Sequence, residues 1–400
     1  MKNIGNDSRI KKVMKRAAKG EPVTIGFIGG SITQGAVASD EALCYAARVF
    51  GWWKKTFDSC EVKYVNAGIG ATTSQFGVSR VESDLLKYDP DFVIVEFSVN
   101  DNDEKPYDRS VFFKETYEGL IRKIYYHKNM KTDHPAVLIV NSVRYDDGGN
   151  MEDVHSEIGS YYDIPCISMK ELIYEKVKAG KAGFEFKDIT RDMLHPNDYG
   201  HSIVAGHIIN YLEGVMKRID TENDKSEDIV KPPLTVNGYE DVIRYNIKNF
   251  VPVCNGFYPD TSDIMFPFFI KTELQDCLND LSVNSVQDKA LSSEVRDVFK
   301  NGWSAGEKGA SIEFRVKGSE LAVMYRKSVK KPAPIAKAIV DDDMENAVVL
   351  DANFDEDWGD KAYLQTIGYH MDDHEHKLEI RIEDAEDCIV DFYLINVICG

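Results

Sequence analysis

VTIGFIGGSITQG, residues 23–35, runs from a short β-rich segment through two glycines to a serine. Val23 to Ile28 read as a strand. The glycine pair after it reads as a turn in which the backbone takes φ values closed to other residues. Two phosphate-binding readings fail against this stretch. A P-loop has Gly-x4-Gly followed by Lys and Ser/Thr; Gly30 and Gly35 have the spacing, but Ala36 and Val37 follow, so the phosphate-gripping lysine is missing. No Gly-x-Gly-x-x-Gly of the dinucleotide type can be laid here either. What remains is Ser31, exposed at the carboxyl end of a parallel strand, where open α/β sheets place their ligands. Taken alone, the segment admits a nucleophile and an ordinary turn serine equally.

Further apolar strand runs follow at 62–67, 92–99, 136–143 and 164–169. Helical periods lie between them: Phe113, Tyr117, Leu120 and Ile124 share one face, as do Val204, Ile208, Leu212 and Val215. Near-continuously apolar strands separated by amphipathic helices predict a parallel sheet covered on both faces, a three-layer α/β/α domain over residues 1–218. Its first twenty residues predict an amphipathic helical extension capped by Asp7 or Ser8. Residues 219–234 are polar and acidic, end near Pro232-Pro233, and read as a linker. Beyond them the period changes to two. Ile312, Phe314 and Val316 alternate with Glu313, Arg315 and Lys317, and Leu378, Ile380 and Ile382 alternate with Glu379, Arg381 and Glu383. Strands with one wet face predict an all-β, jelly-roll-like antiparallel sandwich over 235–400.

The bulk composition narrows the partners. The 400 residues, 43% hydrophobic and 11% aromatic, suit two globular domains. A net charge of −19 repels polyphosphates, so no nucleic-acid partner is expected. No apolar run is long enough to span a membrane, and no membrane partner is expected. The basic amino terminus lacks the apolar h-region of a signal peptide, so the chain reads as cytoplasmic. The seven cysteines are scattered and form no Cys-x-x-Cys pair, as reduced thiols rather than a disulfide or zinc framework.

A serine nucleophile needs a base in hydrogen-bond reach, an orienter for that base, and donors for the oxyanion. RDMLHPNDYGH, residues 191–201, offers Asp192 and His195 three apart before an amphipathic helix, a spacing that lets the carboxylate reach Nδ1. The plain alternative is a capping aspartate beside a surface histidine. His201 and His207 lie on the following helix and read as structural. NAGIGATTS, residues 66–74, follows the second strand and could aim backbone N–H groups at a developing negative charge. SVND, residues 98–101, ends the third strand with Asn100, whose amide can donate. Each loop has an ordinary turn explanation. Together they place a serine, backbone donors, an asparagine and an Asp-His pair on one edge of one sheet.

In these residues the chain resembles the SGNH (GDSL-like) hydrolase superfamily, whose four blocks are named for Ser, Gly, Asn and His. Ser31 in GGSIT matches the first block, Asn100 in SVND the third, and Asp192 with His195 in DMLHPN the last. The resemblance covers roughly 22–217. Two positions depart from it. The oxyanion glycine falls on Ala71, where a backbone N–H still serves but where alanine should demand negative φ. Ser98 stands where the third block usually has glycine. The resemblance implies that His195, oriented by Asp192, takes the Ser31 proton as Ser31 attacks an ester carbonyl. The N–H groups of Ser31 and Ala71 and the Asn100 amide would receive the oxyanion. His195 then protonates the leaving alcohol and water releases the acyl group, with no metal or organic cofactor required.

The superfamily serves lipases, thioesterases, lysophospholipases and carbohydrate deacetylases, and three features favour glycans. No apolar lid adjoins the motifs, the appended sandwich resembles a carbohydrate-binding module, and LDANFDEDWGD (350–360) places Trp358 in a polar loop where its ring could stack on a sugar. The order of domains resembles carbohydrate esterases of family 17, mannan acetylesterases; the second family of carbohydrate esterases has a similar pair in the opposite order. The expected substrate is therefore an acetylated oligosaccharide or polysaccharide, mannan or xylan. A lysophospholipase or acyl-thioesterase, and a non-catalytic glycan-binding protein, are the rival readings. Trp303 reads either as a second sugar platform or as a ring between the sheets, and Trp52-Trp53 as core. His374-Glu375-His376 reads as a surface turn rather than a metal pair, and Asp341-Asp342-Asp343 as a solvated turn rather than a calcium loop.

Overall fold

The computed structural model describes residues 5–104, 107–129, 131, 133–220, 230–262, 301–356 and 360–400. Their contacts divide the chain into two units, the first ending at Glu240 and the second starting at Asp241.

The first unit is built on five parallel strands: β1 (Val23–Gly29), β2 (Val62–Gly68), β3 (Phe92–Glu96), β4 (Ala136–Asn141) and β5 (Cys166–Ser168). They lie in the order β2-β1-β3-β4-β5. Every residue of β1, β3, β4 and β5 is buried, which is what apolar runs between two helical layers require. The helices are α1 (Ser8–Ala18), α2 (Ser31–Gln34), α3 (Tyr45–Thr56), α4 (Ser74–Asp84), α5 (Ser98–Asp103), α6 (Arg109–Tyr125), α7 (Glu152–Tyr161), α8 (Glu175–Lys178), α9 (Phe186–Ile189) and α10 (Asp198–Lys217). The expected faces of α6 and α10 are buried, and Trp53 packs in the core against Phe57 and Phe92. The α/β/α class expected from the sequence is the one observed.

Three local differences have physical causes. The run 92–99 is not one strand: β3 stops at Glu96, and Ser98 opens α5 because its hydroxyl donates to the Ser142 carbonyl (2.8 Å) instead of pointing along a pleat. At the start of α1 neither Asp7 nor Ser8 caps with its side chain; Asn6 Oδ1 accepts from Ser8 N–H at 2.9 Å, while Asp7 pairs with Lys11 and Arg218. The described end of the acidic segment is docked, not free. Buried Glu118 on α6 accepts from Leu234 N–H (2.5 Å), Thr235 N–H (2.7 Å) and Thr235 Oγ1 (2.5 Å), and Arg122 donates to Lys231 O at 2.8 Å. Residues 235–240 accordingly pack with the first unit.

Every described strand pair of the second unit is antiparallel. Its strands are β6 (Ile243–Tyr245), β7 (Val253–Asn255), β8 (Tyr258–Asp260), β9 (Gly302–Ala305), β10 (Ser311–Gly318), β11 (Leu321–Lys327), β12 (Ile335–Val340), β13 (Val348–Asp351), β14 (Lys361–Gly368), β15 (His374–Asp384) and β16 (Phe392–Cys399). One sheet has the order β13-β12-β15-β10-β7; the other has β14-β11-β16-β9-β8, with β6 also on β16. The alternating apolar residues of β10 and β15 meet those of β11 and β16 in one core. Trp303 is in that core, 1% exposed and edge-on to Phe314, so it is a packing residue and not a sugar platform. Trp358 lies outside the described residues. Among the described residues no helix is long and apolar enough to cross a membrane.

Candidate active site

Ser31 is the first residue of α2, directly beyond the carboxyl end of β1. The two glycines before it are there for a different reason from the one expected. Neither lies at positive φ; Gly30 has φ −86° and ψ −151°, an extended conformation. Both are demanded by close approach. A Cβ on Gly29 would stand 2.3 Å from the Glu96 carbonyl oxygen, and one on Gly30 would stand 2.0 Å from Asn100 Oδ1. The Asn100 amide thus rests on the backbone immediately before Ser31.

His195 reaches the same point from the turn before α10. Its Nε2 is 2.8 Å from Ser31 Oγ, and its Nδ1 is 2.6 Å from Asp192 Oδ2. A carboxylate only accepts, so Nδ1 carries the proton and Nε2 offers its lone pair to the serine hydroxyl. Asp192 Oδ1 turns back on its own loop and accepts from Leu194 N–H (2.9 Å) and His195 N–H (2.7 Å). Burial would raise this carboxyl, but the charge and hydrogen bonds of His195, with those backbone donors, outweigh it and hold Asp192 well below the usual carboxylate range. The turn is closed by Met193 at φ 61°, a left-handed conformation held where the Met193 carbonyl accepts from Tyr145 N–H at 2.7 Å. Ser31, His195 and Asp192 are each partly exposed, so an ester can approach.

The loop after β2 closes the site from the other side. Ala71 does not take the negative φ expected of alanine; it lies at φ 56° and is exposed. Left-handed alanine is uncommon, and its neighbours hold it. Gly70 N–H donates to Gln34 Oε1 at 2.6 Å, and Thr72 Oγ1 donates to Ile69 O at 2.7 Å. Gly70 faces the serine so closely that a Cβ there would be 3.5 Å from Ser31 Cβ. Among the described residues the N–H groups of Ser31 and Ala71 and the Asn100 amide have no hydrogen-bond partner, so all three remain available to a ligand.

Several supporting residues escape a sequence reading. Buried Arg80 donates to Ala67 O (2.7 Å) and Gly29 O (3.3 Å), tying the ends of β1 and β2 together. Asp101 accepts from Ser74 N–H (2.8 Å) and from His155 Nε2 (3.0 Å), which fixes the helix bearing Asn100 against α4 and α7. Beneath α2, Thr33 Oγ1 lies 3.2 Å from Glu96 Oε2 and 2.8 Å from Tyr45 Oη. Burial raises the Glu96 carboxyl to about 7, against the opposing pull of its hydrogen bonds. His201 is structural, as expected: Nδ1 accepts from Tyr45 N–H (3.2 Å), Nε2 faces Ala36 O (3.3 Å), and burial lowers it to about 4.

Residues 27–203 match the GDSL-like Lipase/Acylhydrolase family. Among solved structures, a two-domain esterase active on acetylated mannans, co-crystallised with mannopentaose, is 46% identical over 100% of this chain and 96% of its own, with a TM-score of 0.84. A second structure of a two-domain esterase active on acetylated mannans is 45% identical with the same coverage and a TM-score of 0.84. No curated protein matches the chain.

Proposed function

The chain belongs to the GDSL-like lipase/acylhydrolase family and is an ester hydrolase, and we propose that it removes O-acetyl groups from mannan-type oligosaccharides or polysaccharides through an acyl-enzyme on Ser31. The observation that carries the substrate is the 46% identity, across both units, to an esterase active on acetylated mannans. It favours mannan over the xylan that the sequence alone left open.

The mechanism follows from the site. His195 takes the Ser31 proton through the 2.8 Å contact, and Asp192 stabilises the imidazolium that forms. The oxyanion is received by the N–H groups of Ser31 and Ala71 and the Asn100 amide, whose orientation before substrate arrives costs no reorganisation in the transition state. His195 gives the proton to the departing sugar oxygen, which leaves as the hydroxyl. Water, activated by the same imidazole, then releases acetate.

Acetate release from acetylated mannan and acetylated xylan, beside nitrophenyl esters of increasing chain length, tests the reading. Acetate preference with faster release from mannan supports it. A preference for C8 or longer esters refutes the glycan assignment. Ser31→Ala should lower kcat by roughly 10⁴ or more with the fold intact, and retention of a tenth of the activity would remove Ser31 from the mechanism.

A further inference from the structure

His374 and His376 do not form the surface turn expected of them. They open β15 two residues apart, so both rings stand on one face, with centroids 4.0 Å apart. The turn after β12 brings Asp341, at φ 51°, to the same place. Its Oδ2 is 2.6 Å from His376 Nδ1 and 3.9 Å from His374 Nε2. One ligand atom from each of the three residues lies within 4.8 Å of the others.

The surroundings prepare these atoms. His376 is 3% exposed, and its Nε2 lies 2.9 Å from the Asp372 carbonyl oxygen, so Nε2 carries the proton and donates it there. Nδ1 is thereby turned toward a carboxylate oxygen, an arrangement that requires a positive centre on or between the two atoms. The other Asp341 oxygen accepts from Lys377 N–H at 2.9 Å, which fixes the carboxylate plane. A ring whose second nitrogen donates to a backbone carbonyl, beside an oriented carboxylate, is the support that metal-ligating histidines receive. His374 and Asp341 are exposed and leave the outer side to water.

We propose that Asp341 Oδ2, His374 Nε2 and His376 Nδ1 form a binding site for a divalent transition-metal cation, with Zn²⁺ the best fit. Two imidazoles and a carboxylate suit Zn²⁺ rather than Ca²⁺ or Mg²⁺, which take oxygen ligands. Ligand bonds of about 2.0–2.1 Å in a tetrahedral site need donor atoms roughly 3.3 Å apart. The 2.6 Å pair therefore opens by about 0.7 Å and the 3.9 Å pair closes by about 0.6 Å, within the reach of side-chain rotation. A proton shared by His376 and Asp341 goes to solvent as the metal enters. The bound ion would staple the turn after β12 to the start of β15.

The test uses the full chain, free of any affinity tag, treated with EDTA and then titrated with ZnCl₂ by calorimetry and thermal melting. The expected result is one Zn²⁺ bound with Kd of about 10 μM or tighter, and a melting temperature raised by a few degrees at about a hundredfold excess over Kd. His374→Ala, a change at an exposed side chain, should weaken binding by about a hundredfold and abolish the thermal shift. Its nitrophenyl acetate hydrolysis should equal that of the unaltered protein. Asp341→Asn should behave likewise; His376→Ala is less informative because it empties a buried position. No Zn²⁺ binding at millimolar concentration, or undiminished binding by His374→Ala, would overturn the proposal and leave the trio as an ion pair.

Discussion

Gly30→Ala isolates the contact that holds Asn100 beside Ser31, the proposed nucleophile. The backbone itself tolerates alanine at φ −86°, so any effect comes from the added methyl. That methyl would sit 2.0 Å from Asn100 Oδ1 and 2.9 Å from Asn100 Cγ. Contacts of this kind settle near about 3.5 Å, so the overlap is roughly 1.5 Å and the amide has to move by about that much. A displacement of about 1 Å in a catalytic group costs on the order of 10²-fold, and losing one oxyanion donor costs about 10²–10³ in kcat. Gly30→Ala should therefore lose about 10²–10³ in kcat on nitrophenyl acetate with little change in KM, and about 1–3 kcal/mol of stability from overpacking. Asn100→Ala should lose the same activity by removing the amide outright. The double variant decides the cause: with no amide to push, Gly30→Ala should cost nothing further, in activity or in melting temperature. Wild-type kcat in Gly30→Ala, or losses that multiply in the double variant, would refute the reasoning.

Two further outcomes follow from the geometry of the first unit, and a third from the sequence of the 350–360 segment. Gln34→Ala removes the acceptor for Gly70 N–H and should lower kcat by about tenfold through the loop bearing Ala71, while Gln34→Glu, which keeps an acceptor, recovers most of it in steady-state assays. Glu96, raised from 4.5 to about 7 by burial, binds its proton more tightly folded than unfolded. Its contribution is thus fully present below pH about 4.5 and is lost as pH rises through about 7, so melting curves from pH 5 to 8 should show Glu96→Gln gaining on the unaltered protein by up to about 3 kcal/mol. An unchanged difference across that range would refute the shift. Trp358→Ala should reduce kcat/KM on acetylated oligosaccharide by about 5- to 30-fold, as for a ring contact of about 1–2 kcal/mol, and leave nitrophenyl acetate untouched; equal losses on both substrates would refute a sugar platform.

The sheet was legible because burial on both faces writes itself as unbroken apolar runs, as in β1 and β3. The Asp192-His195 spacing was legible because the contact is local. What the sequence concealed is mostly contact between distant loops. Gly29 and Gly30 look like residues of conformational freedom, yet what they supply is space for the Glu96 carbonyl and the Asn100 amide, both far along the chain. Ala71 holds a left-handed φ that its own residue type disfavours, because Gln34 and Ile69 fasten the residues on either side. Gln34 and Arg80 have no periodic signature, since Gln34 satisfies a backbone N–H in a loop and Arg80 satisfies carbonyls at strand ends. Asp341 is separated from His374 and His376 by two strands, and only strand pairing brings them together.

Glu118 has a consequence for how this protein can be divided. A boundary chosen from composition would cut near residue 218 or at the proline pair. That cut would strip a buried carboxylate of the donors from Leu234 and Thr235, each hydrogen bond to a charged group being worth about 1.5–3 kcal/mol. It would also remove Tyr239, whose backbone lies so close to α6 that a Cβ on Gly119 would meet it at 2.9 Å. The genetic module is therefore longer than the α/β sheet it encodes. Recombination or engineering that grafts a different partner onto the hydrolase would have to carry residues 230–240 with it, as the clasp that finishes the first fold before the next one begins.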